Sequence, residues 1–216
     1  DFPRLNLPEV SFDGSDDEFD EKQIKDTQQQ IEVIAQRLRE HWEIGDAPIK
    51  NLQFLLEKNG IIITGFNTQE SKIDAFSQRT TVDNGDVYFI AVALGQRPEG
   101  RINFDLAHEL GHILLHPWSE NLELIPKEEF KAREKQANMF ASAFLLPKDS
   151  FGKEVQAYPT DLEYYQFLKK KWKVSIQAMA YRTNQLGIIT DNQFQYMMRQ
   201  ISKNGWRTKE PGDTPY

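Results

Sequence analysis

The segment from Phe104 to His116, FDLAHELGHILLH, restricts the fold more than any other part of this chain. Leu106, Ala107, Leu110, Ile113, Leu114 and Leu115 make it apolar on most sides, the signature of a buried helix rather than a solvated one. Yet the same helix carries His108, Glu109 and His112. Buried polar side chains need partners, and two imidazoles four residues apart project from one helical face, one turn apart. A single metal ion satisfies both. Glu109 follows the first histidine directly, in the pattern His-Glu-x-x-His, where its carboxylate can take a proton from a water that the ion has made acidic. The alternative is a pair of satisfied core histidines beside a surface glutamate. Gly111 sits mid-helix, where glycine costs roughly 1 kcal/mol relative to alanine. It is expected to make room for a neighbouring strand or a substrate.

A zinc site of this kind takes three protein ligands and leaves a fourth position open. The chain has no cysteine, so the third ligand must be His, Asp or Glu. Between Lys127 and Leu146 a helical stripe of Phe130, Ala137, Ala141 and Phe144 is interrupted by Glu134 and Asn138. A carboxylate on an apolar face is expensive unless it meets a cation. Glu134 is therefore the preferred ligand, and Asn138, one turn on, can hold a ligand histidine through its second ring nitrogen. His116 competes, but it lies about 80° further round the same helix than His112, which strains a third contact. It is left at the rim as a catalytic residue, a substrate or oxyanion contact, or else as a plain helix C-terminal cation ahead of Pro117.

With 216 residues and 39% hydrophobic content, the chain can bury a real core. No apolar run reaches membrane-spanning length, and the opening DFPRLNL has no secretion signal. With the absence of cysteine, this suits a reducing cytoplasm. Charge is graded: residues 1 to 30 hold nine acids against three bases, and residues 161 to 216 nine bases against five acids. Residues 1–21 read as an acidic linker outside the core, implying a further segment before it. Residues 22–150 read as the metal-bearing domain, and 151–216 as a C-terminal helical subdomain packed on it.

Within that domain the pattern predicts a helix through Ile24 to Trp42 and a short helix through Leu52 to Leu56 with Pro48 in its first turn. Strands follow over 61–64, 73–77 and 86–92, with a turn at Asp83-Asn84 or Asn84-Gly85. The fold class is α+β, a small antiparallel sheet packed on helices. Val87, Tyr88, Phe89 and Ile90 are assigned to an edge strand that binds an extended peptide beside the metal. Three helices are predicted over 162–172, 176–186 and 192–202. Their tight turns and the run Lys169-Lys170-Lys171-x-Lys173 invite a helix-turn-helix reading, but a bundle covering the core is favoured, since no helix bears several bases on one face. Direct DNA contact by these residues is not expected.

The run AHELGHILLH, followed by E-x-x-A-N-x-F-A-x-x-F-L-L-P over Glu134–Pro147, resembles the ImmA/IrrE family of metallopeptidase domains. The segment from Lys171 to Arg182, and Gly205-Trp206 ahead of Glu210-Pro211, are similar to members that follow an N-terminal Xre-type helix-turn-helix. The resemblance implies a gluzincin-like core with one zinc ion on His108, His112 and Glu134, and Glu109 as general base. Characterised relatives cut a DNA-binding repressor in response to DNA damage or mobile-element signals. An Xre-type repressor, in a separate chain or in a domain upstream of this one, is then the expected partner. The alternative is a non-catalytic zinc-fold sensor that controls an attached DNA-binding domain.

Overall fold

In the computed structural model, which describes residues 3–12, 21–66, 74–82, 85–94, 97–118 and 125–216, the first helical pattern becomes α1 (Glu21–His41). Ile31, Ala35 and Leu38 turn into the core. α2 (Leu52–Lys58) begins after Asn51, whose side chain accepts the Phe54 amide at 2.9 Å. Pro48, expected in the first turn, lies ahead of this cap.

Three strands follow: β1 (Ile61–Phe66), β2 (Ala75–Val82) and β3 (Gly85–Ala93), in the spatial order β1-β3-β2. The α+β class holds, with a mixed rather than a wholly antiparallel sheet: β2 runs antiparallel to β3, and β1 parallel to it. Ile73 and the turn residues Asp83 and Asn84 lie outside the described residues. β3 is the central strand, which corrects the assignment of Val87, Tyr88, Phe89 and Ile90 to a peptide-binding edge. Tyr88, Phe89 and Ile90 are already paired with β1 on one side and β2 on the other, and Val87 with β2. A continuous apolar run is what a middle strand requires. The edge beside the metal helix is β2, whose side chains alternate between half-buried and exposed as far as Thr80.

α3 (Glu99–Leu115) carries the His-Glu-x-x-His pattern and packs along α4 (Lys127–Leu145). A Cβ on Gly111 would stand 3.1 Å from Phe140 Cδ1 and 3.2 Å from Ala137 Cα. Gly111 thus makes room for α4, and not for a strand or a substrate. The last carbonyls of α4 have no partner within the helix, and two buried guanidiniums take them. Arg39 donates to Phe144 O, Ala47 O and, at 2.6 Å, Gly45 O. Arg182 donates to Leu146 O at 2.9 Å and pairs with Glu32.

Four further helices complete the chain: α5 (Phe151–Val155), which the pattern did not predict, α6 (Leu162–Trp172), α7 (Ile176–Gln185) and α8 (Asp191–Lys203). The apolar core runs without interruption from Ile31 in α1 to Ile201 in α8. Three of the four lysines of the run pair with carboxylates of the same chain. Lys169 pairs with Glu210 at 2.9 Å and with Asp213, Lys171 with Glu154 at 2.9 Å, and Lys173 with Glu99 at 2.7 Å. Glu210 also accepts the amides of Ile176 and Gln177 at 2.8 and 3.1 Å, at the start of α7. Just beyond it, Thr214 O accepts the Glu99 amide at 2.9 Å, tying the tail to the first turn of α3.

At the other end, residues 3–12 depart from the expected linker, since Leu7, Val10 and Phe12 pack on the core. Asn6 accepts the Trp42 indole N–H on its carbonyl oxygen at 2.7 Å. The segment crosses the turn between α2 and β1 at Gly60, where φ is +85° and a Cβ would come within 2.5 Å of the Arg4 and Leu5 backbone. Residues 13–20, the most acidic part of that stretch, lie outside the described residues. Among the described residues, no helix is long and apolar enough to cross a membrane.

Candidate metal centre

The crossing at Gly111 brings one face of α4 against the two histidines of α3. His108, His112 and Glu134 each turn one ligand atom toward a common point, all within 4.8 Å of one another. His112 Nε2 lies 3.0 Å from His108 Nε2 and 3.1 Å from Glu134 Oε1, and His108 Nε2 lies 3.5 Å from Glu134 Oε2. Donors about 2.1 Å from an ion at tetrahedral angles stand about 3.4 Å apart, so the cradle is close to the size that a zinc ion requires. The donor set, two nitrogens and a carboxylate oxygen, suits zinc.

The three groups polarise one another. Burial opposes the charged form of His108, but Glu134, helped by Glu109 and Asn138, outweighs it and raises the pKa. His108 and then His112, close beside it, hold the Glu134 carboxylate well below the usual range. It is ionised, as a metal ligand must be.

Around these atoms lie the groups that orient them. His108 Nδ1 donates to Asn138 Oδ1 at 3.1 Å, the contact expected from the sequence. His116 does not turn to the ligand cluster. Its Nδ1 meets His112 Nδ1 at 3.0 Å, and its Nε2 lies 2.9 Å from Gln136 Oε1. Burial, and then the neighbouring His112, lower its pKa to about 4, so it is neutral and not the terminal cation that Pro117 suggested.

Glu109 is buried, and its Oε2 accepts the hydroxyl of Ser77 on β2 at 2.7 Å. The carboxylate therefore lies between α3 and the edge strand. Val87 to Ile90 are one strand further away: Ser77 is opposite Ile90 in the β2–β3 register. Sequence reasoning missed Ser77 and Gln136. Neither spacing nor patterning links them to partners 32 and 20 residues away.

A profile of the family described as the IrrE N-terminal-like domain, Peptidase_M78, matches residues 56–184. No curated protein matches the sequence. Among solved structures, a Mycobacterium tuberculosis transcriptional regulator has a similar fold, with a TM-score of 0.50 and 17% sequence identity. The likeness covers 71% of this chain and 46% of that one, so the chain spans less than half of the regulator's length. The family profile extends from the end of α2 through both helices of the metal cradle to α7 and takes in more than half of the sequence. On that match, the chain belongs to the IrrE N-terminal-like domain family, Peptidase_M78.

Proposed function

We propose that the chain is a zinc-dependent endopeptidase domain of a transcriptional regulator, and that it cuts an Xre-type DNA-binding repressor. The observation that carries this reading is the convergence of His108, His112 and Glu134 beside a buried Glu109. Family membership and the likeness in fold to a transcriptional regulator support it.

A bound zinc ion would supply a Lewis acid that makes a water more acidic and polarises a peptide carbonyl. Glu109 is the general base: it takes the proton of the attacking water and returns it to the departing amine nitrogen. Ser77, donating at 2.7 Å, fixes one carboxylate oxygen and leaves the other for the proton. Asn138 and His116 fix the rings of His108 and His112. The substrate is extended and pairs with the outer edge of β2, which among the described residues is bonded only to β3. That edge carries Ser77 past Glu109, so a peptide docked there brings its backbone to the base.

Elemental analysis of the purified protein should find about one zinc per chain, lost in His112→Ala. Glu109→Gln should keep the metal and lose cleavage of a repressor, or of a proteome-derived peptide library read by mass spectrometry, by about 100-fold or more. Undiminished cleavage by Glu109→Gln would sink the assignment. A metal-loaded protein that cuts nothing yet still controls its repressor would replace it with the non-catalytic sensor.

A further inference from the structure

His112 cannot bind a cation through Nε2 while that nitrogen carries a proton, so something must keep its proton on Nδ1. For His108 the means is simple, since Asn138 Oδ1 accepts at 3.1 Å and an oxygen can only accept. The partner of His112 Nδ1 is another imidazole nitrogen, His116 Nδ1 at 3.0 Å, which can donate or accept. The direction of that bond depends on what lies behind His116. There, His116 Nε2 faces Gln136 Oε1 at 2.9 Å, and Gln136 is 3% exposed.

Two proton arrangements fit these three residues. With Gln136 Oε1 accepting, His116 carries its proton on Nε2, its bare Nδ1 accepts from His112 Nδ1–H, and His112 Nε2 is left with a free lone pair in the cradle. With the amide turned over, Gln136 donates to His116, His116 donates to His112, and the His112 proton is driven onto Nε2. That nitrogen then points a hydrogen at Glu134 Oε1, 3.1 Å away, and has no lone pair for a metal. The placement of Gln136 Oε1 toward His116 Nε2 matches the first arrangement, and it leaves Gln136 Nε2 buried with no hydrogen-bond partner. A buried amide N–H left unmade is expensive. It is the cost of holding the direction that serves a metal.

We propose that Gln136 and His116 are positioning residues that set the direction of a hydrogen-bond relay and so make His112 Nε2 a metal ligand. This rests on the metal-centre reading above. It gives His116 a place in the site without contact with substrate, and it gives a buried glutamine two residues beyond Glu134 a reason to be polar.

The test uses zinc itself and acceptor-only against apolar variants. Zinc affinity is measured by competition with a chromogenic chelator. The tautomer of His112 is read from its ring ¹⁵N shifts in zinc-free protein. Gln136→Leu should weaken zinc binding by about 10- to 100-fold and release His112 from the Nδ1–H tautomer. Gln136→Glu, which can only accept, should restore both. A zinc affinity in Gln136→Leu within about twofold of the unsubstituted protein, or a glutamate variant no better than the leucine one, would overturn the relay. Should Gln136→Leu not fold, the unsubstituted protein alone decides: His112 protonated on Nε2 overturns the proposal, and protonated on Nδ1 upholds it. Failure of the unsubstituted protein to bind any zinc counts against the metal centre, whereas the tautomer in that same sample judges the relay.

Discussion

At His116 a single ring serves as hydrogen-bond partner and as half-buried group, and the second role sets a pH dependence. Its pKa is lowered from 6.5 to about 4, first by burial and then by His112. The unfolded chain takes up this proton near pH 6.5 and the folded chain only near 4, so acid favours unfolding across that window. The stability that the neutral ring provides is complete above pH 6.5 and is lost as the pH falls toward 4. In zinc-free protein the loss attributable to this residue at pH 5 is about 2 kcal/mol. His116→Gln keeps both hydrogen bonds and cannot titrate. Its Tm should therefore fall less between pH 7 and pH 5 than that of the unsubstituted protein, and an equal fall would contradict a His116 held neutral by partial burial. The cluster of His108, His112 and Glu134, and Asn138 behind it, could be read from the sequence because each is a polar residue at helical spacing on an apolar face. His116 could not be placed in the same way. Its partner Gln136 is on another helix, and no local period records that meeting.

At the level of elements, the metal cradle depends on how closely α3 and α4 approach, and Gly111 sets that distance. The atoms a side chain would strike include the backbone of Ala137, which cannot swing aside as a flexible side chain could. Gly111→Val should destabilise by about 2 kcal/mol, measured by urea denaturation, with weaker zinc binding because Glu134 is pushed from the histidines. A variant as stable as the parent would mean that the helices can separate at no cost. The glycine was visible in the sequence, but what it faced was not, because the facing residue is 26 positions away. The error over β3 has a related origin. Apolar content reports burial, so the most apolar strand was the middle one, whereas an accessible edge needs polar residues such as those of β2. The parallel pairing of β1 with β3 left no trace in either strand.

Over the whole molecule, the helical patterns other than the short α5 were legible because each carries its own apolar face, but the ties that close the structure are long-range and polar. Glu210 is the clearest of them, serving Lys169 and the first amides of α7 at once while only 3% exposed. Glu210→Ala leaves a buried ammonium with Asp213 as its remaining carboxylate and takes the acceptor from the Ile176 and Gln177 amides, which should lower stability by about 3 kcal/mol. The midpoint of urea unfolding measures this; an unchanged midpoint would show that the tail adds nothing to the fold. The same pairs explain why a run of lysines that suggested nucleic acid is spent on internal partners. The tail also affects how the metal helix can be observed. The first amides of a helix ordinarily exchange quickly with solvent, because no carbonyl precedes them. Glu99 N–H is different, since Thr214 O covers it at 2.9 Å. Its deuterium uptake therefore clocks the detachment of a segment more than a hundred residues away, and turns one amide of the metal helix into a timer for the far end of the chain.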